Sequence, residues 1–165
     1  SSDLLDLAIR AAGMLGVPLR IVGTGPDDAR LRALAGPSVE FLGAVTQERL
    51  RDCYREATAF VLPGEEDFGI AAVESMACGT PVIALGRGGA CETVQSGVTG
   101  VLVDDATPEA LASAMRDVSA RTFDPAVLRA HAERFSTARF EAGFREVLTE
   151  TLMQADQRTA NARQW

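Results

Sequence analysis

Five short apolar runs punctuate this chain, and helical patterns fill the stretches between them. The runs span residues 19–22, 39–42, 59–62, 82–85 and 101–103. Each is about four residues long and mostly apolar on consecutive positions, with Gly or Pro close by. Such runs suit strands covered on both faces, because a strand with one wet face would alternate apolar and polar. Strands separated by helices cannot pair as hairpins. They predict a parallel sheet.

The intervening segments carry helix punctuation. Leu4, Ala8, Ala11, Ala12 and Leu15 repeat at three and four, and Gly16 with Pro18 ends that helix. Leu31 and Leu34 mark a short helix before Gly36-Pro37. Thr46 is placed to cap the next, with Leu50, Cys53, Tyr54 and Ala57 on its inner face. A helix over 70–76 closes at Gly79. Thr107-Pro108-Glu109 and Asp124-Pro125 are start signals: a capping oxygen followed by Pro at the first helical position. Ser136 caps a last helix running to about Ala155, and residues 156–165 read as a polar, frayed tail. The expectation is one α/β domain over 1–155, a Rossmann-like doubly wound parallel sheet with helices on both faces.

Composition narrows the function classes. A chain of 165 residues buries about two-thirds of its extended surface, leaving roughly 8,000 Å² exposed. That is a real core, but the length cannot hold two full nucleotide-binding lobes around a cleft. All 16 basic residues are Arg; without Lys there is no P-loop lysine and no Schiff-base lysine. The net charge of −7, with Arg interleaved among acids, argues against a nucleic-acid partner. Three cysteines at non-zinc spacings and a single His predict no metal site. The odd cysteine count and the lack of a basic leader or membrane-length apolar run point to a cytoplasmic setting.

Ligands of open α/β sheets bind beyond the carboxyl ends of the strands. The first such loop, Gly23-Thr24-Gly25-Pro26-Asp27-Asp28, begins like a dinucleotide fingerprint. Asp28 stands where the third glycine belongs, so a plain strand–turn–helix junction is the better reading. The loop after the third run is Pro63-Gly64-Glu65-Glu66-Asp67-Phe68-Gly69, followed by Ile70-Ala71-Ala72-Val73-Glu74. Acids before a helix interact favourably with its dipole, which explains part of the pattern. Yet Gly69 also lets a ligand approach the free helical N–H groups, which form an anion site needing neither metal nor lysine. Two carboxylates beside an anion site suit a ligand with phosphate and hydroxyl-rich parts, such as a nucleotide sugar. A solvated acidic loop remains the alternative.

From Leu19 to about Met115 the chain resembles the donor-binding domain of glycosyltransferase family 4, retaining enzymes of two-lobed GT-B fold. The matching pieces are Leu19-Arg20-Ile21-Val22-Gly23-Thr24-Gly25-Pro26 and Val39-Glu40-Phe41-Leu42-Gly43-Ala44-Val45. The Glu-x7-Glu element at Glu66 and Glu74 follows, running on through Ser75-Met76-Ala77-Cys78-Gly79-Thr80-Pro81. Gly88-Gly89-Ala90-Cys91-Glu92-Thr93 and Gly97-Val98-Thr99-Gly100 complete the set. The resemblance implies the C-terminal half of such an enzyme. It makes Glu66 the catalytic-site carboxylate that binds hydroxyls of the donor sugar, and gives Glu74 the ribose. Gly23, Gly25, Val45 and Thr46 would face the nucleotide, and the amides of Phe68, Gly69, Ile70 and Ala71 the sugar and diphosphate. The variant around Glu66, with Gly86-Arg87-Gly88-Gly89, is most similar to mannosyltransferase-like members. The donor is therefore expected to be GDP-mannose or a UDP-sugar, with no cofactor. The acceptor would be a glycan or lipid, reached through a separate N-terminal lobe that could also supply peripheral membrane association.

The family places a strand and a basic Arg/Lys pair ahead of the first helix, and neither is found here. Arg49 and Arg87 are the candidate replacements, and the isolated chain is expected to be inactive. Two other classes compete: a degenerate, non-catalytic lobe acting as a scaffold, and a sugar-nucleotide epimerase-like lobe. His131 reads as a surface or packing residue far from the site, and Cys78 as a small buried one. Phe135, Phe140 and Phe144 form a helical stripe expected to pack on the sheet or on the other lobe.

Overall fold

A computed structural model of the chain describes residues 4–162, with side chains through Gln154. The order is α1 (Leu5–Leu15), β1 (Leu19–Val22), α2 (Asp28–Leu34), β2 (Val39–Gly43), α3 (Gln47–Glu56) and β3 (Phe60–Leu62). Then come α4 (Ile70–Ala77), β4 (Val82–Leu85), α5 (Ala90–Thr93), β5 (Gly100–Val103), α6 (Pro108–Ala120), α7 (Pro125–Ala132) and α8 (Thr137–Ala162). A 3₁₀ turn, Glu133–Phe135, joins the last two helices.

The punctuation works as read. Gly16 closes α1 in the left-handed region at φ 65°. Thr46 Oγ1 accepts from Arg49 N at 3.3 Å, Thr107 Oγ1 from Ala110 N at 3.2 Å, and Asp124 Oδ1 from Ala126 N at 2.8 Å. Each satisfies a donor that the first helical turn leaves orphaned.

All strand pairs are parallel, but the expected single five-stranded sheet is two ladders. One contains β1 and β2; the other has the order β3-β4-β5. Leu19 pairs with Val39, Phe60 with Val82, and Val82 with Gly100. Among the described residues no ladder joins β1 to β3. The second ladder is the doubly wound body. Every residue of β4 is buried. Val82 and Ala84 pack with Ala72 and Met76 of α4 and Leu128 of α7. Ile83 points the other way, onto Ala11 of α1 and Leu111 and Val118 of α6. The period of two sends alternate side chains to opposite faces, and a helical layer covers each.

The C-terminal expectation changes. The last helix, α8, runs past the expected end at Ala155 to Ala162, and 163–165 lie outside the described residues. From Thr137 to Gln154 every residue of α8 is exposed. Phe140 and Phe144 stack on each other at 6.1 Å, 70% and 59% exposed, and pack on no sheet. This helix helps explain an accessible surface of 10,269 Å², well above the roughly 8,000 Å² of a compact chain this size. Among the described residues no helix is long and apolar enough to cross a membrane.

Candidate functional site

The acidic loop joins β3 to α4 at the carboxyl end of the three-stranded ladder. Gly69 sits at φ 79°, a conformation that other L-residues rarely adopt, and turns the chain into α4. No side chain caps this helix. Its first internal bonds run from Ala72 and Val73 N–H to Gly69 O, which leaves the Ile70 and Ala71 amides without a helical acceptor. Glu65, Glu66, Asp67 and Phe68 are exposed in front of that helix end.

A second loop locks the first. Gly89 N donates to Glu66 O at 2.7 Å. A Cβ on Gly89 would run into Asp67 O and the Phe68 backbone, and one on Gly88 would stand 2.6 Å from Glu66 O. Only glycines allow the β4–α5 turn to lie this close under the acidic loop. The sequence places these two glycines in the family motif, not among the expected site residues. The signal available was the Gly-Gly pair itself.

Glu74 is held from a neighbouring helix. Tyr54 of α3 donates its hydroxyl to Glu74 Oε2 at 3.3 Å. Burial, reinforced by the Glu74 charge and by the hydrogen bond, pushes the Tyr54 phenol far up from its ordinary range. It therefore stays a donor. Tyr54 is fixed in turn by Thr80 Oγ1, which donates to Tyr54 O at 2.6 Å, and by edge-on contact with Phe60 at 5.5 Å. Sequence patterning placed Tyr54 on an inner helix face but gave no hint of its partner. Glu74, Phe68 and Ile70 also line an open groove of about 560 Å³, together with Phe135 and Phe140.

The remaining expected residues lie on the two-stranded ladder. Gly23, at φ 115°, donates to Gly43 O at 2.8 Å and ties the ends of β1 and β2 together. Gly25 is open and exposed. Asp28 beyond it pairs with Arg32 at 2.7 Å, in keeping with an ordinary helix start. Val45 is half-buried, and the Thr46 hydroxyl is occupied in capping α3.

Of the two candidate cations, Arg49 pairs with Glu56 at 3.3 Å and is committed along α3. Arg87 is exposed in the β4–α5 turn, one residue before Gly88, and has no ion-pair partner among the described residues. Arg55, Arg121 and Arg129 gather instead at the amino ends of β3 and β4, around a cavity of about 480 Å³ also lined by Thr58 and Pro81. Arg55 and Arg121 line only this cavity, whereas Arg129 also lines the groove that holds Glu74, Phe68 and Ile70. Among the described residues no group of three or more His, Cys, Asp or Glu is placed to hold a metal ion.

Two expectations are corrected. His131 is not remote: its Nε2 lies 2.9 Å from Thr93 O, and its ring meets Phe135, which meets Phe68 of the acidic loop. Cys78 is partly exposed rather than buried, whereas Cys53 is buried.

A family model described as "Glycosyl transferases group 1" matches residues 5–121. A D-inositol 3-phosphate glycosyltransferase from Acidothermus cellulolyticus is 34% identical, covering 94% of this chain and 41% of the relative. The solved sucrose-phosphate synthase from Thermosynechococcus elongatus is 32% identical with a TM-score of 0.69, covering 92% of this chain and 43% of that one. Anabaena HepE, solved with UDP-glucose, has a TM-score of 0.70 at 24% identity, covering 87% of this chain and 44% of that one. The chain thus spans about two-fifths of the length of these proteins.

Proposed function

The chain belongs to the group 1 glycosyl transferases, and on that premise we propose that it is the donor-binding half of a retaining hexosyltransferase. Its Rossmann-like α/β fold is that of the C-terminal half of GT-B glycosyltransferases. The observation carrying the reading is the uncapped start of α4, flanked by Glu66 in the loop and Glu74 one turn into the helix. The Ile70 and Ala71 amides, with the helix dipole behind them, suit the diphosphate of a nucleotide sugar. Glu66 binds hydroxyls of the transferred sugar. Glu74, steadied by Tyr54, holds the ribose, and Val45 and Thr46 border the base. As the sugar–phosphate bond breaks, charge collects on the departing diphosphate. Fixed amide dipoles stabilise that charge without reorganising, and the acceptor attacks from the same face. Arg87 adds the positive charge that the helix alone supplies only in part.

The rest of the protein, an acceptor-binding lobe, would close over this face. The opening between β1 and β3 is where a doubly wound sheet would carry a further strand, and that strand is assigned to the longer protein. GDP-mannose is the first donor to test, with UDP-sugars beside it. The relatives' names make an inositol phosphate an acceptor to try alongside glycans and lipids.

Calorimetric titration with GDP- and UDP-sugars, with Glu74→Ala as control, tests the reading. Weak binding by the chain alone that disappears in the variant is the expected result. No binding at millimolar nucleotide sugar, or binding indifferent to Glu74, would favour a degenerate scaffold lobe.

A further inference from the structure

The single histidine lies where two chains of contact meet, and both end in the acidic loop. The first is polar. Thr93 O can only accept, so the ring nitrogen 2.9 Å away is an N–H donor, which fixes a proton on His131 Nε2. Thr93 is completely buried, and its hydroxyl donates to Gly89 O at 3.0 Å. Gly89 N donates in turn to Glu66 O at 2.7 Å. The second chain is aromatic. His131 meets Phe135 edge-on at 5.7 Å, and Phe135 meets Phe68 in the same way at 5.7 Å. Thr93 also underlies the helix turn, since a Cβ on Gly69 would come within 3.9 Å of its hydroxyl.

The geometry points to His131 as a positioning residue: from α7 it holds the α5 turn and Phe68, and through them sets where Glu66 stands. The inference rests on the donor-site reading only for what Glu66 does, not for how it is held. α5 is a four-residue helix and has little stability of its own. Its last turn gains an outside anchor from α7, which is packed into the core through Leu128 and Ala132.

Hydrogen exchange on the full chain separates the donor from the ring. His131→Phe keeps an aromatic body and removes the N–H; His131→Gln keeps an N–H at similar reach. The Phe variant is expected to speed exchange of the Gly89 amide and of peptide 86–94 about fivefold, the worth of one net hydrogen bond, and Gln to restore most of the protection. Unchanged exchange in the Phe variant, or equal loosening by Phe and Gln, would overturn the assignment. If His131→Phe loosens the whole chain, Thr93→Val decides. That change removes only the hydroxyl link at nearly constant volume, so it should loosen peptide 86–94 alone, and no change there overturns the relay. In the longer protein the Phe variant should raise donor KM several-fold while Gln does not. A selectively loosened turn in a chain that binds no nucleotide sugar leaves the relay standing and removes the donor reading instead.

Discussion

The two ladders of this molecule are built from similar short parallel strands, yet only one is a core. In β3-β4-β5 the central strand is buried along its whole length, and its neighbours are sandwiched between α4 and α7 on one side and α1 and α6 on the other. In β1 burial alternates and in β2 no residue is fully buried; Val22 is 37% exposed, and neither hydrophobic cluster includes a residue of either strand. The lesson is that strand burial depends on neighbours on every side. β4 has a strand at each edge and a helical layer on each face; β1 has one strand partner. The same division runs through the site. The acidic loop and its glycine lock belong to the buried ladder, and the candidate residues Gly23, Gly25, Val45 and Thr46 to the more exposed one.

The largest test of this contrast is a pair of truncations. Ile83→Ala in the buried ladder should cost about 3 kcal/mol, as core aliphatic truncations do, whereas Ile21→Ala in β1 should cost about 1 kcal/mol or less. Urea unfolding measures both, and equal losses would break the comparison. Glycine substitutions come next. Gly89→Ala has no room beside Asp67 and Phe68 and should weaken nucleotide-sugar binding at least tenfold on the order of the strain it introduces. Gly25→Ala meets nothing within 4 Å and should change stability by less than about 0.5 kcal/mol. Binding and melting measured on both variants would show whether the tight approach lies only on the buried side.

A smaller effect is expected where the two halves of the site touch. Tyr54→Phe removes the donor from Glu74 and should raise the dissociation constant for the nucleotide about fivefold, the worth of one hydrogen bond. The smallest is a pH effect on the more exposed side. The hydrogen bond from Arg20, followed by the charge of Arg49, holds the Glu56 carboxyl below its ordinary value. A lowered folded pKa means stability present above the unfolded value near 4.5 and lost as pH falls through the folded one. Glu56→Gln should therefore lower the melting temperature slightly at pH 7, with the difference from the parent vanishing in acid. A difference that persists in acid would mean that Glu56 acts other than by its charge.

Much of this was legible in the residues. The strand positions follow from short, mostly apolar runs with Gly or Pro close by, and the caps at Thr46, Thr107 and Asp124 act within a few residues of themselves. Glu66, Gly69 and Glu74 were readable because loop and helix lie next to each other in sequence. Tyr54, Gly89 and His131 were not readable as site residues. Their partners lie 20, 23 and 38 positions away, and no local pattern encodes which distant backbone a side chain meets. The phenylalanine stripe shows the same limit: Phe140 and Phe144 do not pack on the sheet, because periodicity shows that a helix has an apolar face, not what covers it.

The sequence by itself determined the alternation of strand and helix, the parallel pairing, the absence of lysine chemistry and the acidic loop before α4. These depend on backbone geometry, side-chain type and neighbours within a turn or two. Tertiary structure alone decided that the strands divide into two ladders and that Arg49 is committed to Glu56 while Arg87 has no ion-pair partner among the described residues. It also decided that the lone histidine reaches the acidic loop. Those outcomes depend on which surfaces meet across the fold, and that is fixed by packing the whole chain at once.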